Sequence, residues 1–189
     1  MRRAVLDVSH HTKGSEMLSQ EDNLLFQSYI SVALFAELRR NNFIDSDFFK
    51  GMSFGAQAIK TELKNIGVDN QGSALMSLYA MLVIPRELIF KKYPNKVAEI
   101  NDFLEQNSKN VHTTYRSDQQ KVDFLRHIRN SVSHTRVTFE PSKSIGFSDQ
   151  NTRTREQFTS ELPLEYFGEF IEKLQEVHLT YIKELQSSQ

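Results

Sequence analysis

The amino-acid sequence predicts an all-α fold, a helical bundle with a short β-hairpin inserted before the C-terminal helix. Apolar residues recur at helical spacing over several long segments, and paired capping residues mark helix starts. One short stretch, R-V-T-F followed by P-S-K-S, instead alternates and then turns, as a hairpin does. A chain of 189 residues suits one domain. We expect a single domain over residues 1–189, with residues 1–18 as an N-terminal extension for which disorder is one interpretation.

The first two helices are predicted from capping and spacing. A helix from about residue 21 to residue 40 follows the capping pair Ser19 and Asp22. A second helix runs from about residue 53 to residue 66 and ends before a glycine. In the first helix the apolar residues that recur at helical spacing are Leu24, Leu25, Ile30, Leu34 and Leu38.

The middle of the chain predicts a central helix and a shorter one. Residues 73–91 are apolar on most sides, and Pro85 removes a backbone donor there, so we expect a kink. Pro94 suits the first turn of a short helix through Leu104. The polar residues 105–116 predict a loop.

The C-terminal part predicts two helices separated by the hairpin. Ser117 with Gln120 resembles a capping box, which predicts a fifth helix over residues 118–134. The strands R-V-T-F and I-G-F-S follow, and residues 149–155 predict a loop. A final helix begins near Pro163 and has an apolar inner side.

Composition excludes several classes of function. The 23 Lys plus Arg and 24 Asp plus Glu leave a formal net charge of −1, so a basic surface for nucleic acid must be local. The absence of cysteine excludes disulfides, thiolate zinc sites and cysteine nucleophiles. No apolar run approaches the roughly 20 residues of a membrane span, and the N-terminus lacks a secretory signal. We expect a soluble, cytoplasmic protein without a membrane partner.

The fifth predicted helix separates apolar and polar residues onto different sides. Its apolar stripe consists of Leu125, Ile128 and Val132, with Phe124 beside them. Its polar stripe, at spacings of four, consists of Arg126, Asn130 and His134. Arg129 lies at the border between the stripes, with Ser133 one turn later.

Two interpretations of this basic helix end are open. Arg129 and His134 lie about 140° apart around the helix axis and about 7.5 Å apart along it. They can therefore flank a pocket with Asn130 and Ser133 as its floor. There the guanidinium would hold a phosphate, and the imidazole would exchange a proton with a hydroxyl group. Alternatively, basic residues in the last turn only complement the helix dipole and cap carbonyl groups.

The motif R-N-S-V-S-H, residues 129–134, resembles the Arg-x4-His signature of HEPN domains. Arg129, Asn130 and His134 match it residue by residue, at the end of the penultimate long helix of a predicted bundle. The resemblance covers residues 20–187 in architecture and residues 125–134 in sequence. It departs from the toxins that a partner nucleotidyltransferase modifies, because Arg136 stands where those toxins have Tyr.

The resemblance implies a metal-independent endoribonuclease without a cofactor, as in many bacterial toxins and anti-phage proteins. Two chains would join their motifs across a two-fold axis. His134 of each chain would act as base or acid, Arg129 would stabilise developing charge, and Asn130 would orient the imidazole or bind a phosphate oxygen. The implied partners are RNA, a second copy of the chain, and an antitoxin or defence-system protein.

Further RNA contacts are expected around the motif, and a second class of function stays open. The candidate RNA-binding residues are Arg126, His127, Ser133 and Arg136, although His127 can equally be a solvated neighbour. No metal site is expected. The alternative function is a catalytically inactive HEPN module that binds RNA or a protein partner.

Overall fold

The computed structural model describes residues 18–85 and 88–187, over which eight α-helices accompany one four-stranded antiparallel sheet. The expected N-terminal extension lies almost entirely outside these residues. The helices are α1 (Gln20–Arg40), α2 (Asp47–Gly51), α3 (Gln57–Ile66), α4 (Gln71–Leu78), α5 (Leu88–Lys92), α6 (Pro94–Asn107), α7 (Phe124–Ser133) and α8 (Leu164–Ser187). The strands are β1 (Lys109–Thr113), β2 (Val137–Glu140), β3 (Ser144–Gln150) and β4 (Gln157–Pro163). The predicted fold class, a helical bundle with a small β element, is confirmed.

Helix α1 begins as predicted but buries only part of the predicted apolar stripe. The hydroxyl of Ser19 accepts from the backbone N–H of Asp22 at 3.1 Å, so the predicted cap is correct. The buried positions are Leu25, Ser28 and Val32. Three of the apolar residues that recur at helical spacing are exposed: Leu24, Ile30 and Leu34. The helix packs against α8 and the segment after α4, and these neighbours select the buried stripe.

The predicted central helix is interrupted before Pro85. Helix α4 passes into a π-helical turn, Tyr79–Val83, in which the N–H of Ile84 donates to the carbonyl of Tyr79 at 3.2 Å. Met81 within this turn is fully buried, and its carbonyl oxygen lies 2.9 Å from the Nε2 atom of His178 on α8. The wide turn therefore leaves the Met81 carbonyl available as an acceptor, and His178 on α8 lies within hydrogen-bond distance of it.

The predicted hairpin is one half of a larger sheet. Strands β2 and β3 pair from Val137 with Phe147 to Glu140 with Ser144, as expected. The sheet order is β1-β4-β3-β2, so two further strands extend it, in the region expected to be a loop and before the last helix. Strand β1 is polar and largely exposed at an edge, which explains why its sequence resembles a loop.

Helix α7 begins later than predicted, at Phe124. Its N-cap is Asp123, whose carboxylate accepts from the N–H of Arg126 at 3.2 Å. The expected capping box at Ser117 is wrong, because residues 116–118 form a separate turn of 3₁₀ helix. The predicted apolar face is confirmed: Leu125, Ile128 and Val132 are all buried.

Over residues 18–85 and 88–187, no helix combines enough length with enough apolar character to cross a membrane.

Candidate functional site

The motif residues lie on the last turns of α7. Arg129 and Asn130 are half-buried, whereas Ser133 and His134 are exposed. The hydroxyl of Ser133 donates to the carbonyl oxygen of Arg129 at 2.9 Å, which turns this side chain back onto its own helix. The structure therefore gathers the predicted residues on one helix end, where Ser133 and His134 are exposed to solvent.

His134 occupies the C-cap of α7, where the chain changes direction. Its backbone N–H donates to the carbonyl of Asn130 at 3.0 Å. Thr135 follows with a φ angle of 56°, and the N–H of Arg136 then donates back to the carbonyl of Ser131 at 2.7 Å. This turn ends the helix sharply and leaves the imidazole of His134 at its tip.

His127 faces the interior and not the surface. It is 0% exposed, with Nδ1 2.8 Å from Oδ2 of Asp149 and Nε2 2.9 Å from Oδ2 of Asp118. Its ring stacks on Phe158, with centroids 4.3 Å apart and planes 10° apart. The expectation that His127 contacts RNA or is solvated is therefore corrected, because both ring nitrogens are engaged inside the protein.

Asp118 contacts four side chains from a buried position, those of His127, Thr113, Arg126 and Ser117. Its Oδ2 atom also accepts from the hydroxyl of Thr113 at 2.6 Å, and its Oδ1 atom accepts from Arg126 at 3.0 Å. Burial by itself raises the pKa of this carboxyl group. The hydrogen bonds from Thr113 and His127, with the charges of His127 and Arg126, outweigh burial and hold the pKa of Asp118 below its ordinary value.

Asp149 links the sheet to the motif. Its Oδ2 atom accepts from the side-chain amide of Asn130 at 3.0 Å as well as from His127. Burial raises the pKa of Asp149, but the hydrogen bonds from Asn130 and His127 lower it by more than burial raises it. The pKa of Asp149 therefore lies below its ordinary value. Burial, followed by the charge of Asp149, raises the pKa of the nearby Tyr115 hydroxyl to about 12.

Arg126 belongs both to this buried group and to a surface pocket. Its side chain is 33% exposed, its Nη2 atom donates to Ser117 at 2.9 Å, and its guanidinium lies 5.4 Å from the Tyr115 ring centroid. A pocket of about 250 Å³ opens between α5, α6 and α7. It is lined by Phe90, Lys91, Val97, Asp123, Leu125, Arg126 and Arg129.

Arg136 lies on the sheet side of the helix end. Its guanidinium donates to the carbonyl of Gln150 at 3.3 Å, and its own carbonyl accepts from the N–H of Ser148 at 3.1 Å. It is therefore associated with β3, whereas Arg126 and Arg129 line the pocket on the other side of α7.

Sequence reasoning missed the two carboxylates that hold His127. Asp149 continues the alternation of Ile145 and Phe147 on β3, all three being buried, so a longer strand would have indicated it. Asp118 gave no comparable signal, because it was assigned to a helix that begins only at Phe124.

Comparison with known proteins identifies the family. A family model described as HEPN pEK499 p136 matches residues 17–185, which extend from just before α1 to the last turn of α8. Searches of curated proteins and of solved structures each found no match. Since the family match spans most of the chain and its fold is helical, the protein belongs to the HEPN pEK499 p136 family.

Proposed function

We propose that this protein is a metal-independent endoribonuclease of the HEPN type. The observation that carries the proposal is the arrangement of the motif on α7. Arg129 and Asn130 lie half-buried on the last turns, and His134 stands exposed at the tip. Family membership supports a nuclease or another RNA-related function for the chain.

The proposed reaction is attack of a ribose 2′-hydroxyl on the adjacent phosphate. His134 of one chain removes the hydroxyl proton as the 2′-oxygen bonds to phosphorus, and an imidazolium protonates the departing 5′-oxygen. Arg129 stabilises the negative charge on the phosphoryl oxygens in the transition state. Asn130 orients the imidazole through its side-chain amide.

One chain offers a single motif histidine, so the proposal includes a homodimer. A two-fold axis near the end of α7 would bring two copies of His134 and two of Arg129 to one phosphate. One imidazole then serves as base while its symmetry mate serves as acid. This arrangement needs neither a metal ion nor a cofactor.

Proposed RNA contacts surround the motif on both sides of α7. The pocket of about 250 Å³ next to Arg126 and Arg129 is slightly smaller than typical small-molecule sites of about 300–1,000 Å³, and suits a single nucleotide unit. Exposed Ser133 and half-buried Arg136 can contact the strand beyond the helix tip. A toxin or anti-phage effector, with an antitoxin or other defence protein as partner, is the proposed biological role.

The test is cleavage of total RNA by the purified protein in excess chelator. We expect cleavage by the parent and none by His134→Ala or Arg129→Ala. The matched controls are His112→Ala and Arg153→Ala, which alter exposed residues of the same types away from α7 and should leave the rate unchanged. An inactive parent, or motif variants that cut RNA at the parental rate, would refute the assignment.

A second candidate is a catalytically inactive HEPN module that binds RNA or a protein partner. Two polar groups of the motif favour it, because Asn130 donates to Asp149 and Ser133 donates to Arg129 within the fold. Such contacts would serve a purely structural use of the motif. RNA binding by an intact but non-cleaving parent, lost in Arg129→Ala, would support this alternative.

A further inference from the structure

The buried ring of His127 contacts acceptors at both nitrogens. Asp149 and Asp118 lie 2.8 Å and 2.9 Å away, and an ionised carboxylate only accepts hydrogen bonds. Asp118 also accepts from Thr113 and Arg126, and Asp149 also accepts from Asn130, as ionised carboxylates do. Both ring nitrogens must therefore donate, which is the imidazolium form of histidine.

One neighbour of the ring needs a separate explanation. The Nη2 atom of Arg126 lies 3.0 Å from Nε2 of His127 and could in principle donate to it. However, this nitrogen carries two hydrogens, and Ser117 and Asp118 accept one each, at 2.9 Å and 3.0 Å. The Nε2 proton of His127 therefore goes to Asp118, whose two oxygens accept one from each cation.

The charges of the four residues Arg126, Asp118, His127 and Asp149 balance only when His127 carries a proton on both ring nitrogens. Asp118 and Asp149 contribute two negative charges, with side chains 1% and 5% exposed. Arg126 and the imidazolium contribute two positive charges. Without the second ring proton, two buried carboxylates would share a single guanidinium, an arrangement that leaves one buried charge unpaired.

This balanced group determines how the amide of Asn130 is oriented. Asn130 donates from Nδ2 to the same Asp149 oxygen that His127 contacts. The oxygen of the Asn130 amide is therefore at the other end of that amide from the atom bonded to Asp149. Asn130 and His134 are four residues apart and lie on one face of the helix end. The amide therefore presents an acceptor, which can receive an imidazole N–H and select one tautomer of His134.

We propose that His127 is a positioning residue: as an imidazolium clamped between Asp118 and Asp149, it fixes the Asn130 amide so that its oxygen orients the His134 imidazole. The inference rests on the proposed ribonuclease function. It assigns His127 a role through Asp149 and Asn130, without contact with RNA.

The first test is His127→Gln, measured as the kcat and KM of RNA cleavage. A glutamine amide donates to one carboxylate but points its oxygen at the other, and it leaves one negative charge unbalanced. We expect kcat to fall about 100-fold through misplacement of Asn130, with KM unchanged. A parental kcat would overturn the proposal, as would a change confined to KM.

The second test is rescue by the double variant His127→Gln with Asp118→Asn. The glutamine amide nitrogen can donate to Asp149, which still accepts from Asn130, while the new amide at position 118 donates to the glutamine oxygen and still accepts from Arg126 through its own oxygen. Charge is again balanced, by Arg126 against Asp149. We expect the double variant to regain at least about tenfold in kcat over either single variant, and no gain would contradict the mechanism.

A third measurement separates this inference from the proposed function and does not depend on whether the variants fold. Nitrogen-15 NMR of the parent should show protons on both ring nitrogens of His127 at neutral pH, and a slowly exchanging Asn130 amide. An unprotonated ring nitrogen would overturn the clamp even if RNA is cleaved. The expected spectrum with an inactive parent would instead refute the ribonuclease proposal and leave the held amide standing.

Discussion

Asn130 on α7 donates its side-chain amide to the carboxylate of Asp149 on β3, at a distance of 3.0 Å. A residue of the candidate site is thus held by the sheet and not by the helical bundle alone. The sequence presents the β element as an insertion before the last helix, yet this contact makes it part of the site.

The dimer proposal predicts that inactive chains poison active ones. His134→Ala chains mixed in about tenfold excess with parental chains should capture most of them in mixed dimers that lack one imidazole. RNA cleavage per parental chain should fall accordingly. Excess His112→Ala chains provide the control and should not inhibit. Full activity in a demonstrated monomer would exclude the shared site.

Acid should destabilise the protein through the carboxylates around His127. The pKa values of Asp118 and Asp149 are lowered in the folded state. Below about pH 4 the unfolded chain therefore binds protons at these two groups more readily than the folded chain does. Their stabilisation is complete above the unfolded-state pKa and is lost as pH falls through the folded-state values. Urea unfolding between pH 2 and pH 6 should show this decline, with a smaller slope in Asp118→Asn. The exposed Asp47→Asn should keep the parental slope.

The buried His178 should give the stability of the fold a second pH dependence, at higher pH than that of the two aspartates. Burial lowers its pKa, and the hydrogen bond to the Met81 carbonyl only partly opposes this. The unfolded chain therefore binds a proton more readily below about pH 6.5, so stability is full above that pH and decreases below it. The decrease ends once pH falls below the folded-state pKa.

The measurement is the free energy of unfolding of His178→Leu and of the parent between pH 5 and pH 8. The difference between the two should change with pH in this window, because only the parent carries the buried imidazole. His112→Gln, which alters an exposed histidine, should follow the parent. A pH-independent difference would contradict the assignment.

Lys60 should stabilise the junction between α2 and α3. Its ammonium group donates to the carbonyls of Lys50 at 2.6 Å and Met52 at 2.8 Å, and the residue is 9% exposed. Lys60→Met should lower the free energy of unfolding by about 1–3 kcal/mol, since two acceptors lose their donor. Thermal or urea unfolding measures the effect. Lys64→Met, at an exposed position of the same helix, should have little effect.

Local patterns predicted much of the helical structure, because caps and apolar spacing act within a few residues. Ser19 and the apolar face of α7 are examples. The start of α7 was predicted wrongly at Ser117. The adjacent Asp118 lies outside the helix, where it contacts His127 and Arg126 of α7. No local rule contains such a contact.

The candidate site was predictable only in its linear part. The spacing of Arg129 and His134 follows from the helix itself, whereas the burial of His127 depends on Asp149 and Phe158 from separate strands. A histidine beside an apolar stripe therefore gave no indication of whether it faced RNA or a carboxylate. The roles of Arg129, Asn130 and His134 stay predictions that the cleavage experiments test.

The sheet order β1-β4-β3-β2 has a consequence for the order of biosynthesis. Strand β1 precedes α7 in the chain, but its partner β4 follows it, so pairing of Lys109 with Glu161 closes a loop that contains the whole motif. A ribosome completes α7 before it has made Asp149 and β4. Newly made chains therefore hold every motif residue while Asn130 still lacks its partner, and translation must pass β4 before the site can assume its final form.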